Sequence, residues 1–300
     1  MVVVSLPHDL HYPVARAALE AGCHVMLEKP MALSMVHVNA LLELAASEKK
    51  TLIVSDTAYT TEPFKTGRQI IATSGFGEFV SGHYVNHRYY FSEGRPDWFY
   101  DPERSGGGQF INIGVHRVAA VRTLLGDQLE ESRVQATTRR LGDKTAIETA
   151  TTAMVCYEGG QSMIYEEYGY MTPPNGTSWS LRLMFERGMF QFEKNKTWSS
   201  DHCGTVKEYE MPPTKVSDYC PLYEQLLRAI DGQSCFPTAI QGARDARIAL
   251  AAYASAREGI AIDLRDKVWE LRLSPKSVTN SIAVGVSATG LAKRSRKLSV

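Results

Sequence analysis

The fold is decided by two stretches near the N-terminus, VVVSLPHDLH (residues 2–11) and HVMLEKP (residues 24–30). Each begins as a short apolar run, typical of a strand buried on both faces, and each turns polar where that strand ends. Between them, apolar residues at helical spacing predict a helix over residues 12–22, with Gly22 as its terminating glycine. Strand, crossover helix and strand predict a parallel α/β sheet, whose ligands bind at the carboxyl ends of the strands.

The same alternation continues to residue 57. Ser34 is the predicted N-cap of a second helix, and residues 51–54 form a third apolar strand. A dinucleotide-binding fold usually also carries a G-x-G-x-x-G turn that holds the pyrophosphate. These 300 residues contain no such turn, since Gly75-Phe76-Gly77 is followed by Val80 where the third glycine belongs. Residues 1–57 are therefore predicted to be a partial Rossmann domain, the C-terminal half of one.

The pattern changes after residue 57. Several strand-like runs follow one another between residues 132 and 210 without intervening helices, which indicates a mostly antiparallel sheet. Helices are predicted at about 112–125, 217–231 and 239–258. The predicted fold class is thus an α/β partial Rossmann unit followed by an α+β domain with an open sheet over residues 58–272. Residues 273–300 lack periodicity and are predicted to be a disordered tail.

Composition narrows the possible partners. Lys plus Arg equals Asp plus Glu at 33 each, so no net field favours nucleic acid or an anionic membrane. The five cysteines form no C-x-x-C pair, and no signal peptide is evident, so a cytoplasmic location is expected. The pair His202-Cys203 offers too few ligands for a metal site, and no metal is predicted.

Two groups of residues have the chemistry of an active site. Lys29 directly follows a predicted strand, where partial burial lowers the pKa of a lysine toward useful values; a surface salt bridge is an equally good interpretation. Asn112 and His116 are four residues apart and share a helical face behind the run Gly106-Gly107-Gly108. His116 is the natural proton acceptor because an unperturbed histidine titrates near neutral pH. The glycines allow close approach of the backbone to a ligand or to another backbone.

These two motifs, in this order, resemble those of the Gfo/Idh/MocA family, the glucose-fructose oxidoreductase and inositol dehydrogenase-like enzymes. The likeness runs from Leu6-Pro7-His8 through Glu28-Lys29-Pro30 and the Gly106–His116 segment to Ser255-Ala256-Arg257-Glu258-Gly259. The resemblance implies an NAD- or NADP-dependent oxidoreductase that moves a hydride to or from a CH–OH group of a sugar, polyol or related small molecule. It also implies a homo-oligomer formed through the C-terminal sheet.

The resemblance also implies roles for individual residues. Lys29, His116 and Asn112 would be catalytic, with His116 exchanging the hydroxyl proton and Asn112 orienting the substrate. The cofactor side would be lined by Pro7, His11 and Glu28 together with Lys29. Arg95 and Trp98 lie in the stretch that shapes the substrate pocket in this family; the alternative is that they are packed side chains of a loop. Many relatives have Asp at the position of Asn112, which leaves its role open.

One departure from the family pattern leaves two hypotheses. The chain lacks the segment that would carry the pyrophosphate turn and the acidic residue that binds the adenosine ribose. The first hypothesis is an NAD(P)-dependent oxidoreductase whose sequence is shortened at the N-terminus. The second is a non-catalytic family member that acts as an interaction or dimerisation protein. The intact catalytic motifs favour the first hypothesis.

Overall fold

A computed structural model describes residues 1–90, 95–141, 146–170, 176–194, 196–213 and 219–272. The predicted tail at residues 273–300 lies outside these ranges. Within them, no helix is long and apolar enough to cross a membrane.

The first part of the chain folds into a small parallel sheet with the order β1-β2-β3. Its strands are β1 (Val2–Val4), β2 (Val25–Glu28) and β3 (Leu52–Ser55), joined by helices α1 (His11–Glu20) and α2 (Met35–Ser47). Ser34 caps α2 as predicted, because its hydroxyl accepts a hydrogen bond from the His37 amide at 3.2 Å. Gly22 follows α1 at φ +75°, a left-handed conformation that glycine adopts without strain.

The rest of the described chain builds a second sheet and further helical elements around it. The first half contains α3 (Glu62–Thr73), β4 (Phe79–His87), α4 (Pro102–Ser105), a π-helical turn (Phe110–Gly114), α5 (Val115–Leu125), β5 (Glu131–Arg139), β6 (Ala150–Tyr157) and β7 (Ser162–Tyr168). The second half contains β8 (Ser178–Phe185), β9 (Gly188–Glu193), β10 (Thr197–Asp201), β11 (Val206–Tyr209), α6 (Cys220–Ile230), α7 (Ala239–Glu258), β12 (Ile262–Asp263) and α8 (Val268–Arg272).

The second sheet has nine strands in the order β11-β10-β9-β8-β4-β7-β6-β5-β12. Only the pairing of β4 with β7 is parallel among the strand pairs of this described sheet, and the others are antiparallel. The predicted fold class, a small parallel sheet followed by a mostly antiparallel one, is confirmed. Strand β10 was not predicted, since Thr197-Trp198-Ser199-Ser200-Asp201 lacks the apolar run on which the strand predictions depended.

Helices from late in the chain cover the small parallel sheet on both faces. On one face, Met26 and Ile53 pack against Leu222 and Leu226 of α6. On the other face α7 approaches β3 so closely that a Cβ atom at Gly242 would lie 2.3 Å from Cβ of Val54. Helices α6 and α7 therefore hold the small sheet in place.

One local prediction is wrong, and a second is confirmed except in its first turn. Residues 2–5 were expected to be buried on both faces, but β1 is an edge strand of the described sheet and 43% of Val3 is exposed. The helix expected at residues 112–125 starts earlier and with a wider turn, the π-helical segment Phe110–Gly114. Such turns are frequent at functional sites, and this one carries Asn112.

Candidate functional site

The three parallel strands end side by side, and the residues that follow them form the floor of the site. Lys29 follows β2 and Asp56 follows β3. The π-helical turn and the start of α5 lie above these strand ends and supply Asn112 and His116. The arrangement follows the general rule that open parallel sheets place their ligands at the carboxyl ends of the strands.

Lys29 is held against the π-helical turn. Its Nζ donates to the backbone carbonyl of Asn112 at 2.8 Å and to the side-chain Oδ1 of Asn112 at 3.4 Å. Burial lowers the pKa of Lys29, and the carboxylates of Glu28 and Asp56 partly oppose this effect. A surface salt bridge was the alternative interpretation of Lys29. Its half-buried side chain instead forms a hydrogen bond with Asn112, which is 83 residues later in the sequence.

His116 is paired with a buried carboxylate. Its Nδ1 lies 2.8 Å from Oδ1 of Asp56, whose side chain is only 3% exposed. Burial raises the pKa of Asp56, but the neighbouring His116, the amide of Ala58 and Lys29 outweigh it, and the pKa is lowered. Burial also lowers the pKa of His116 below its ordinary value, which favours the neutral ring near pH 7. Since an ionised Asp56 only accepts hydrogen bonds, Nδ1 carries the proton and Nε2 is left as an acceptor.

The glycine run packs against protein. A Cβ atom at Gly108 would lie 1.9 Å from the carbonyl oxygen of Glu148. The carboxylate of Glu148 accepts hydrogen bonds from the amides of Gly108 and Phe110, the second at 2.9 Å, and from the hydroxyl of Tyr253 at 2.8 Å. Burial raises the pKa of Glu148 to about 7. The glycines therefore let the backbone approach another backbone, and Glu148 fixes the start of the segment that carries Asn112 and His116.

The residues expected on the cofactor side surround the ends of β1 and β2. His11 is fully buried, with Nδ1 2.7 Å from the carbonyl of Pro30 and Nε2 2.9 Å from the carbonyl of Leu6. It therefore ties the two strand ends together. Glu28 is half-buried and accepts a hydrogen bond from Ser55 at 3.1 Å. Pro7 directly precedes the 3₁₀ turn His8–Leu10, at the end of β1.

Arg95 and Trp98 lie to one side of this centre. The guanidinium of Arg95 stacks 4.2 Å from the ring centroid of Tyr90, and Trp98 packs edge-on against His8 with centroids 4.9 Å apart. Neither occurs among the described residues that line the cleft beside His116. Their packing matches the alternative stated for them, side chains of a well-packed loop, while Arg95 is still close enough to lower the pKa of Lys29.

A cleft with a volume of ≈ 600 Å³ opens beside His116, between the start of α3 and the nine-stranded sheet. This size is within the usual range for sites that bind small molecules. Its lining combines aromatic and basic side chains, namely Phe64, Tyr84, Trp179, Phe192, Arg88, Arg117 and Lys194. The sequence predictions did not include these residues, because they come from two helices and from strands and strand ends that are distant in the sequence.

Asp56 was also missed, although a signal for it existed. It directly follows the third predicted strand, in the same position relative to β3 as Lys29 has relative to β2. Applying the strand-end rule to all three strands would have selected it. Arg117 had a weaker signal, its place next to His116 at the start of a helix with many apolar residues.

Two protein-family models match the chain. The model described as "Oxidoreductase family, NAD-binding Rossmann fold" matches residues 1–56, and the model described as "GFO/IDH/MocA C-terminal domain" matches residues 64–191. Between them they include β1–β3, the π-helical turn and the segment with His116.

Curated relatives match part of the chain. An uncharacterized oxidoreductase, C115.03, of Schizosaccharomyces pombe is 32% identical over 126 residues, which are 42% of this chain and 34% of the relative. The 1-carboxy-3-chloro-3,4-dihydroxycyclohexa-1,5-diene dehydrogenase of Comamonas testosteroni is 27% identical over 191 residues, 60% of this chain and 45% of the relative. The chain thus spans between a third and a half of the length of these relatives.

The fold is shared with solved structures. A putative oxidoreductase from Thermotoga maritima superimposes with a TM-score of 0.76 at 20% sequence identity, over 87% of this chain and 79% of that one. At this identity the similarity concerns the fold.

Proposed function

Since the chain belongs to the Gfo/Idh/MocA oxidoreductase family, we propose that it carries the reactive end of an NAD(P)-dependent dehydrogenase. The reaction is hydride transfer between the nicotinamide and a CH–OH group of a sugar, polyol or related small molecule. In this proposal residues 1–57 hold the nicotinamide half of the cofactor, and residues 58–272 provide the substrate site.

The observation that carries the proposal is the pairing of His116 with Asp56 at 2.8 Å, at the edge of a cleft of small-molecule size. A neutral imidazole that is oriented by a carboxylate and open on its other nitrogen is a general base for a hydroxyl proton. Oxidation of an alcohol needs such a base, since the carbon loses a hydride only as its oxygen loses a proton. A merely structural histidine does not need an ionised partner and an open cleft.

The chemistry of Lys29 fits the nicotinamide end of the cofactor. Its ammonium has three hydrogen-bond donors, and Asn112 takes two of them in this structure. A remaining donor suits a neutral carbonyl, such as a carboxamide or a substrate oxygen. Pro7, Glu28 and Lys29 would hold this end of the cofactor, and His11 would support them by joining the strand ends. When bound, NAD(P) supplies the hydride acceptor or donor.

The residues of the chain then divide the work. His116 takes the hydroxyl proton on Nε2 during oxidation and returns it during reduction. Asp56 keeps the imidazole in the tautomer that this requires. The cation of Lys29 stabilises negative charge as it develops on the substrate oxygen, and Asn112 positions Lys29 through its carbonyl groups. Burial of Lys29 and His116 strengthens both interactions by excluding water.

The proposal is tested by titrating the purified chain with NADH and with NADPH while nicotinamide fluorescence is followed, with Lys29→Ala as the variant. Saturable binding that weakens in Lys29→Ala supports the proposal, and the stronger of the two nucleotides identifies the cofactor. A folded sample that binds neither nucleotide up to millimolar concentration contradicts it. That second outcome favours the non-catalytic alternative.

We also propose a homo-oligomer formed through the nine-stranded sheet. Tyr84 and Tyr165 of paired strands β4 and β7 are buried on the helix-covered face. Their neighbours in sequence, Val85 and Ile164, point to the other face and are only half-buried. Met154 lies opposite Ile164 in the next strand and is also half-buried. A sheet face with several apolar side chains is suited to packing against a second copy.

A further inference from the structure

The cleft beside His116 has an excess of positive charge. Arg88, Arg117 and Lys194 line it, while no Asp or Glu occurs among its described lining residues. Arg95 lies near enough for its charge to lower the pKa of Arg88. A cleft of this composition attracts anions, since its low-dielectric walls concentrate the field of the cations.

Arg117 is the innermost of these cations. Its side chain is 18% exposed, and its guanidinium lies 5.3 Å from the ring centroid of Tyr84 at the floor of the cleft. Oε1 of Glu167 lies 3.4 Å from its Nε, and the charge of Asp56 also raises the pKa of Arg117. This separation is long for a charge-assisted hydrogen bond, which usually measures about 2.7–2.9 Å.

Glu167 is occupied by other donors. Its Oε2 accepts hydrogen bonds from the amides of Asn86 at 2.6 Å and Gln109 at 2.9 Å. Its side chain is 1% exposed, and burial raises its pKa. It is therefore the carboxylate within ion-pair distance of Arg117 among the described residues, and it is already bound by neutral amides. Glu167 and Asp56 are outnumbered by Arg88, Arg95, Arg117 and Lys194, so the described residues around the cleft carry a positive excess.

Arg88 shows the imbalance most directly. Its Nε is buried and has no hydrogen-bond partner among the described residues. Burial lowers the pKa of Arg88, and the charges of Arg117 and Arg95 lower it further. A guanidinium nevertheless stays protonated in proteins, so the unpaired donor persists, and Glu167 offsets the charge of Arg88 only in part. Such a group is costly to bury unless an anion joins it.

We propose that the substrate carries a carboxylate, which Arg88 and Arg117 bind while its CH–OH group faces His116. This inference rests on the proposed dehydrogenase function and specifies its substrate as a hydroxy acid or sugar acid. The planar guanidinium groups suit a carboxylate because each can donate two parallel hydrogen bonds to it. His116 and Arg117 are adjacent at the start of α5 and line the same cleft, which places the two ends of one small molecule within reach of both.

The test compares acids with neutral partners of the same carbon skeleton. Glycerate and glycerol, tartrate and threitol, and glucuronate and glucose are titrated into the purified full chain by calorimetry, with and without NAD(H). We expect at least one acid to bind about tenfold or more tightly than its neutral partner, because hydrogen bonds to a charged group are among the strong ones. If no acid is preferred, the proposal is wrong.

Substitutions test whether the acid binds at Arg88 and Arg117. Arg88→Gln removes the charge and keeps a polar side chain, and we expect it to bring the acid and its neutral partner within about threefold of each other. Arg117→Lys keeps the charge near Glu167 and loses the planar fork, so it serves as the second variant where loss of folding is a concern. Arg68→Gln, on the exposed side of α3, is the matched control and is expected to leave the preference unchanged. Preference for acids that survives Arg88→Gln and Arg117→Lys contradicts the assigned site.

The carboxylate proposal and the proposed function fail in different ways. Turnover of neutral sugars with no preference for acids contradicts the proposal of a carboxylate substrate and agrees with the proposed dehydrogenase function. If the chain binds no nucleotide but prefers acids in a way that depends on Arg88, the anion site is confirmed. The proposed dehydrogenase function is then contradicted. Thermal melting of each variant shows that the differences come from folded protein.

Discussion

Asp56 and His116 are 60 residues apart in the sequence, yet the carboxylate oxygen of the first lies 2.8 Å from Nδ1 of the second. Asp56 comes from the end of a parallel strand, and His116 comes from the helix that follows the π-helical turn. Their contact joins the small sheet to the substrate cleft. It also places the proton of His116 on Nδ1, because the ionised carboxylate of Asp56 can only accept a hydrogen bond. Nε2 is then free to act as the base.

Asp56→Asn tests this pairing. We expect kcat for alcohol oxidation to fall by about 100-fold or more, since an oriented general base contributes about 10²–10⁴ in rate. The Michaelis constant should change little, because Asp56 is buried behind His116. Asp263→Asn is the matched control, as Asp263 lies on the surface and pairs with Arg265. Equal effects of the two substitutions on kcat would show that Asp56 has no specific role in the mechanism.

The pH dependence of oxidation should report His116. Burial lowers its pKa below the ordinary value of 6.5, and protonation removes the base. The profile of kcat/KM should therefore be flat near pH 7 and fall on the acid side, with a midpoint below 6.5. Asp56 raises this pKa, so Asp56→Asn should move the midpoint to still lower pH. A midpoint above 6.5 in the unsubstituted protein would contradict the assignment.

Asn112→Asp tests the contact with Lys29. The new carboxylate would lie where Oδ1 of Asn112 now stands, 3.4 Å from Nζ, and would favour the ammonium form. Since burial lowers the pKa of Lys29 in the present protein, the substitution should raise it. Because the proposed mechanism needs the ammonium form of Lys29, loss of its proton should give the rate profile a basic limb, and this limb should shift to higher pH in Asn112→Asp. Asn39→Asp, on α2, provides a control of the same chemistry. An unchanged basic limb would mean that Lys29 does not control it.

Glu148 should be important for stability. Glu148→Ala removes the acceptor for two amides and the hydroxyl of Tyr253, and we expect the free energy of unfolding to fall by about 2–4 kcal/mol. Glu148→Gln keeps one acceptor oxygen and should lose less. Urea denaturation measures both. A variant as stable as the original protein would show that the glycine run does not depend on this carboxylate.

The raised pKa of Glu148 predicts a further effect of pH on stability. A carboxyl whose folded pKa, about 7, exceeds its unfolded value stabilises the fold fully below the unfolded pKa, and this contribution is lost as pH rises through 7. The free energy of unfolding should therefore decline more steeply between pH 4.5 and 7 than in Glu148→Gln, whose side chain does not titrate. Parallel curves for the two proteins would refute this.

A single charged substitution tests whether the protein forms an oligomer through the face of the nine-stranded sheet that carries Val85, Ile164 and Met154. Ile164→Glu places a carboxylate among the half-buried apolar side chains of that face and should shift the protein from oligomer to monomer. Light scattering after gel filtration gives the mass of each species. Gln69→Glu, on the exposed side of α3, adds the same charge elsewhere and should leave the mass unchanged. A monomer before substitution would refute the oligomer directly.

The sequence was sufficient for features that depend on neighbouring residues. Apolar runs, the cap at Ser34 and the glycine at position 22 predicted the βαβαβ order, and successive strand-like runs predicted the antiparallel sheet. Lys29, Asn112 and His116 were selected because a strand end and a helical spacing are local patterns. Each of them lies at the centre that the structure describes.

Only the tertiary structure decided the contacts between distant segments. Lys29 and Asn112 form a hydrogen bond although they are 83 residues apart in the sequence. The corresponding separations are 60 residues for the contact of His116 with Asp56 and 40 residues for that of Glu148 with Gly108. The basic cleft likewise depends on how β4 lies beside α5, which brings Arg88 near Arg117. Local sequence specifies backbone conformation and the buried face of each element. The partners of a polar side chain depend on which elements pack together, and burial and charge then set their protonation.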